Sequence, residues 1–158
     1  MSSEARLFRH ELKFFIDESE MEILVKRIGT VIPRDANAGS GEYTIRSLYF
    51  DDMFAGAYED KLAGVERRKK YRIRIYNYSD SIIKLECKQK QGQYIHKTAA
   101  TLSRGEADAL IAGDYGFLID RGEPVCRQFY LECAGNKMMP KVVVDYDRIP
   151  FVFPYGDV

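Results

Sequence analysis

Residues 7–16 (LFRHELKFFI) alternate strictly, with Phe8, Leu12, Phe14 and Ile16 on one side and Arg9, Glu11 and Lys13 on the other. This period of two predicts a strand. Residues 17–32 then change to a helical period. Ser19-x-x-Glu22 reads as a capping box, Ile23, Leu24, Ile28, Val31 and Ile32 lie near one stripe, and Pro33 ends the helix. A turn-rich loop over 34–42 leads into a strand over 43–51 (YTIRSLYFD), and a short helix is predicted over 53–62.

The middle of the chain repeats the alternating device. Residues 69–78 place Tyr71, Ile73 and Ile75 opposite Lys70, Arg72, Arg74 and Tyr76, and residues 81–90 place Ile83, Leu85 and Cys87 opposite Lys84, Glu86 and Lys88. Gly92 closes a hairpin onto a strand over 94–102 that carries Lys97. Ser103-x-x-Glu106 opens a short helix to about residue 112. A further helix follows over 124–134, with Pro124 in its first turn and Gly135 at its exit. A last strand over 141–149 is limited by Pro150 and Pro154. No internal repeat and no low-complexity segment interrupts the pattern.

A length of 158 residues suits one domain, and 46% hydrophobic with 13% aromatic residues is enough to bury a core. No apolar run reaches the length of a membrane span, and no signal-like stretch follows Met1, so a cytoplasmic, soluble protein is expected. Cys87, Cys126 and Cys133 form no C-x-x-C pair, which argues against a disulfide framework and against zinc. Cys126 and Cys133 fall on the apolar stripe of the 124–134 helix with Phe129 and Tyr130, as core residues do. His10 and His96 are the only imidazoles, and nothing near either supports a nucleophile–base pair.

The 24 basic and 24 acidic residues cancel overall but not locally. Between Lys61 and Lys97 there are eleven Lys/Arg against three acids, a net of +8 that the rest of the chain offsets. If the strands curl with Glu11/Lys13, Arg72/Arg74 and Lys84/Glu86/Lys88 facing inward, they line a lumen with cations. Such a lining is unstable when empty, because like charges in a reduced dielectric repel. A polyphosphate or nucleoside triphosphate would neutralise it, Arg forks and Lys point charges matching phosphoryl oxygens. Carboxylates among the cations suit a divalent metal, Mg²⁺ or Mn²⁺, travelling with the phosphates. On any one strand a solvated charged face explains the same pattern, and residues 67–70 read as an exposed basic run. Tyr49, Tyr58 and Tyr146 read equally well as half-buried structural residues. No G-x-x-x-x-G-K-[ST] loop exists, so a P-loop site is excluded.

The succession RHELKFFI (9–16), SLYFDD (47–52), YEDKLAG (58–64), KKYRIRIY (69–76), IIKLECKQK (82–90), HKTAATLS (96–103) and VVVDYDRIPF (142–151) resembles the VTC domain. This family is the polyphosphate-polymerase branch of the triphosphate tunnel metalloenzymes, of CYTH-like fold. The resemblance implies an α+β fold built on an antiparallel β tunnel with flanking helices, which binds triphosphate with a divalent metal and moves the terminal phosphate of ATP onto a growing polyphosphate. It covers the N-terminal two-thirds of the family domain, so residues 1–158 are expected to form one domain whose tunnel a single copy leaves incomplete. The exposed sheet edge is then expected to pair with another copy or stay partly open.

The resemblance also assigns residues. Lys13 matches the first-strand lysine, Arg72 and Arg74 the R-x-R pair, and Arg148 the arginine of the Y-x-R strand, together the catalytic set. Lys88 and Lys97 match tunnel lysines, and Lys84, Lys61 and Tyr49 join them as triphosphate-binding candidates. Glu11 and Glu86 share those faces as candidates for holding the metal or organising the cations. Three alternatives remain: a triphosphatase or adenylate cyclase of the same superfamily, a non-catalytic polyanion-binding module, and a nucleic-acid binder. The last is disfavoured, because the basic residues alternate inward without exposed aromatic platforms.

Overall fold

The computed structural model of the protein describes residues 11–36, 38–39 and 41–154. Five strands, β1 (Tyr43–Asp51), β2 (Arg67–Tyr76), β3 (Ser79–Gln91), β4 (Tyr94–Leu102) and β5 (Met139–Arg148), form one antiparallel sheet in the order β4-β3-β2-β1-β5. The helices are α1 (Glu18–Gly29), α2 (Gly56–Leu62), α3 (Arg104–Ile111) and α4 (Pro124–Asn136), with a short 3₁₀ helix over Gly116–Asp120. The class is α+β. Among the described residues the sheet does not close, and β4 and β5 are its edges.

Two tight turns set the register of the central strands. Asn77 and Tyr78 both adopt positive φ (50° and 54°), the backbone that a two-residue hairpin loop demands, so β2 stops at Tyr76 and β3 starts at Ser79. Gly92 (φ 58°) turns β3 into β4, where a side chain would be strained. With register fixed, alternation does the rest, because one face of the sheet must be covered. The covered face carries Phe50, Tyr71, Ile73, Leu85, Cys87 and Ala100, packed against Ala107 and Leu110 of α3, Leu118, and Val125, Cys126, Phe129 and Cys133 of α4. Phe129 stacks on Tyr71 at 4.9 Å and meets Phe50 edge-on at 5.0 Å. Phe129→Ala is expected to cost about 3–5 kcal/mol by leaving a cavity there. All three thiols are free and buried, and burial pushes Cys87 up to about 11 and Cys133 up to about 12. Among the described residues, α3, α4 and the 3₁₀ helix all contribute to the core on the covered face and not on the opposite one.

Several local expectations are corrected. Residues 11–16 are not in a strand; they have no ladder partner among the described residues, and Leu12, Phe14 and Phe15 are exposed. Alternation alone does not make a strand where no ladder partner accepts its hydrogen bonds. Residues 7–10, His10 included, lie outside the described residues. The α1 capping box is Asp17 with Glu20, not Ser19 with Glu22: the Asp17 carboxylate accepts from Glu20 N at 2.8 Å, and Glu20 accepts from Asp17 N at 3.0 Å. That helix ends at Gly29 and buries no residue. In contrast, Ser103 and Glu106 form the expected box at the start of α3. α4 passes through Gly135 and exits at Lys137, whose φ is 53°.

Candidate functional site

Strand register lays the charged residues of the uncovered face in rungs. Tyr49, Arg72, Glu86 and Ala99 stand side by side across β1, β2, β3 and β4. One rung toward the loop ends of β1 and β2 lie Ser47, Arg74 and Lys84, and on the other side lie Lys70, Lys88 and Lys97, then Arg68 and Lys90. On β5, Tyr146 and Arg148 pair with Ile45 and Tyr43, beyond the Arg74 rung. The face forms a cleft of about 1040 Å³ lined by Lys13, Arg72, Arg74, Lys88 and Arg148 among others.

The centre of this cleft is a closed polar network. Arg72 donates from Nε to Glu86 Oε2 at 2.8 Å, places Nη2 at 2.8 Å from the same oxygen, and donates from Nη1 to Tyr49 Oη at 2.8 Å. Arg74 puts Nη1 3.7 Å from Glu86 Oε2, and donates to Ser47 Oγ at 3.2 Å and Tyr146 Oη at 3.3 Å. Lys97 brings its ammonium to 2.5 Å from Glu86 Oε1, an ion pair without hydrogen-bond alignment. Glu86 is 1% exposed and Arg74 5%. Burial pushes the Glu86 carboxyl up, but Lys97, Arg74 and Arg72 outweigh it and hold the group below its ordinary value of 4.5.

The end of the cleft toward Arg68 is different. Lys61, Arg68, Lys70 and Lys90 line it, and among the described residues none of them is ion-paired to a carboxylate. Burial and the neighbouring charges of Lys61, Arg68 and Lys88 push the Lys70 ammonium below its usual value, although Asp51 opposes this. Lys88 is the exception, being ion-paired to Glu11. That pairing, more than the partial burial that opposes it, lowers the Glu11 carboxyl, and Lys13 adds to it from 3.8 Å.

The structure brings together most of the assigned residues: Lys13, Tyr49, Lys61, Arg72, Arg74, Lys88 and Arg148 line one cleft with Glu11. Lys13 does so from a segment outside the strands of the sheet. Lys97 reaches the same cluster through Glu86, whereas Lys84, beside Arg74 in register, is outside the lining. The exposed-run reading of residues 67–70 is half corrected. Arg68 and Lys70 line the cleft, while Lys69 turns away to Glu132 at 3.2 Å. Tyr146 lines the cleft as a partner of Arg74, in addition to any structural role, and Ser47 joins it as a second hydroxyl partner that the sequence pattern does not single out. The parity of Arg68 and Lys70 with Arg72 is the signal that finds them; Ser47 has none in sequence.

The divalent metal that the resemblance implies can be tested on its two carboxylates. Both Glu86 oxygens face cations, and Glu11 is held by Lys88 and Lys13. A metal on either would displace ammonium or guanidinium groups, and among the described residues no three His, Cys, Asp or Glu side chains converge. The described carboxylates do not fit such a metal.

A family model, VTC domain, matches residues 8–158. The fold is similar to the crystal structure of a "putative adenylate cyclase" from Bacillus halodurans, with a TM-score of 0.54 and 14% identity, over 89% of this chain and 65% of that one. This chain thus spans just under two-thirds of that protein's length. No curated protein matches the chain in sequence. No helix among the described residues is long and apolar enough to cross a membrane.

Proposed function

The chain belongs to the VTC domain family, and from that premise we propose that its cleft binds a nucleoside triphosphate or polyphosphate and serves transfer of the ATP terminal phosphate to polyphosphate. One observation carries the reading: cations from β2, β3 and β5 converge on a single uncovered sheet face instead of scattering over the surface. Phosphoryl transfer asks mainly for positioning and charge neutralisation, so no nucleophilic side chain is required. Arg72 and Arg74 are already oriented by Tyr49, Ser47, Tyr146 and Glu86, and their remaining N–H groups suit non-bridging oxygens. Arg148 would meet the same phosphate chain from β5, and Lys88, Lys97 and Lys13 would neutralise it.

The open sheet favours a second reading, a polyanion-binding module without turnover, since a phosphate chain lying on it stays accessible to water. Incubating the protein with ATP and Mn²⁺, and assaying long-chain polyphosphate, free phosphate and cyclic nucleotide, separates the readings. The polymerase reading expects polyphosphate. Binding of tripolyphosphate with none of the three products leaves the module, and absence of binding removes both.

A further inference from the structure

Three cations meet at the floor of the cleft around one carboxylate that solvent does not reach. Glu86 is 1% exposed, while the side chains of Arg72 and Lys97 are 13% and 37% exposed. It therefore lies beneath its partners, which stand between it and the space a ligand would fill. Removing its charge from that floor would leave Arg72, Arg74 and Lys97 facing one another with water largely excluded from two of them, a costly arrangement. Even with Glu86 ionised, the cluster keeps a net charge of +2. That remainder suits an anion with two or more charges, and it sits within reach of the cleft through the unused N–H groups of the two arginines.

We propose that Glu86 is an internal counter-anion. It holds Arg72, Arg74 and Lys97 in place while the cleft is empty, and it weakens triphosphate binding by competing for the same positive charge. It is a positioning residue, since it touches the cations and not the ligand. The inference rests on the triphosphate reading for the identity of the ligand, but not for the stability of the empty protein. Two consequences follow from a single electrostatic cause. Without the carboxylate the empty fold loses stability. With phosphates bound, their charge replaces the missing one, and a repulsive neighbour has gone.

The test is Glu86→Gln, which keeps the size of the side chain and removes its charge, measured by thermal melting and by calorimetric titration with tripolyphosphate in EDTA. In phosphate-free, low-salt buffer the variant is expected to melt about 5–10 °C below wild type. It is expected to bind tripolyphosphate about tenfold tighter. A folded variant that melts as wild type does, or that binds no more tightly, overturns the proposal. If the variant does not fold alone, the proposal requires that tripolyphosphate restore its folded circular-dichroism spectrum, and failure to do so overturns it. If wild type itself does not bind tripolyphosphate, the triphosphate reading fails. The counter-anion then stands or falls on whether the melting deficit of Glu86→Gln shrinks as sodium chloride is raised.

Discussion

The two ends of the cleft use the same kinds of side chain to opposite effect. Around Glu86, Arg74 is buried and Arg72 half-buried, and both are paired and fixed by hydroxyl partners, so their orientation exists before any ligand arrives. Around Lys70, the cations crowd together, and among the described residues no carboxylate is ion-paired to Lys61, Arg68, Lys70 or Lys90; burial first, and then the neighbouring cations, make the Lys70 ammonium easier to deprotonate, with Asp51 opposing them. The first arrangement contributes geometry at the expense of attraction; the second contributes attraction at the expense of stability. A phosphate chain lying across both would be positioned by one and drawn in by the other.

The comparison is broken most forcefully at its ordered end. Arg72→Ala removes donors to Glu86 and to the ligand together, and is expected to weaken tripolyphosphate binding by about 10–100-fold in a calorimetric titration. The α3–α4 face is untouched, so the circular-dichroism spectrum should stay that of wild type. A titration indistinguishable from wild type would mean that the ordered end is scaffold only.

Acid separates the ends next. Glu86 has a folded value depressed below 4.5, so its ion pairs contribute stability above that pH, and the contribution is lost as pH falls through the lower folded value. Wild type should therefore lose melting temperature more steeply below pH 4.5 than Glu86→Gln does. Parallel curves would show that Glu86 is not the carboxylate that matters.

Lys70→Met probes the other end and should act more gently. Tripolyphosphate binding is expected to weaken about 2–5-fold and to depend less on salt, while the empty protein melts no lower, because a crowded charge has been removed. A drop in melting temperature would contradict the contrast between the ends. Smallest of all is the effect of metal removal. With Glu11 and Glu86 held by cations, EDTA is expected to leave tripolyphosphate affinity unchanged, and a large loss would reassign one of them to a metal.

Much of this contrast is legible in the chain before folding, and the limits are physical. β1 and β4 begin and end where alternation of β-branched and aromatic residues begins and ends. The basic parity of Lys70, Arg72 and Arg74 is likewise visible, because register on a half-covered sheet turns alternation directly into faces. What alternation omits is the partner. Residues 11–16 carry the pattern of a strand with no ladder to join, and Lys13 reaches the cleft regardless. Asp17 displaces Ser19 as the α1 cap because both offer an acceptor oxygen and only geometry decides between them. Glu86 is legible as a carboxylate that organises cations, but its full set of partners is not, since Lys97 enters from a strand eleven positions away and Arg74 by a diagonal across the sheet.

The central claim is that one uncovered sheet face is a preformed seat for a chain of phosphates. Its most direct test is a calorimetric titration of the wild-type protein with tripolyphosphate at moderate salt in EDTA. The account predicts saturable one-to-one binding that weakens as salt rises. No heat of binding, with the protein folded, would contradict it.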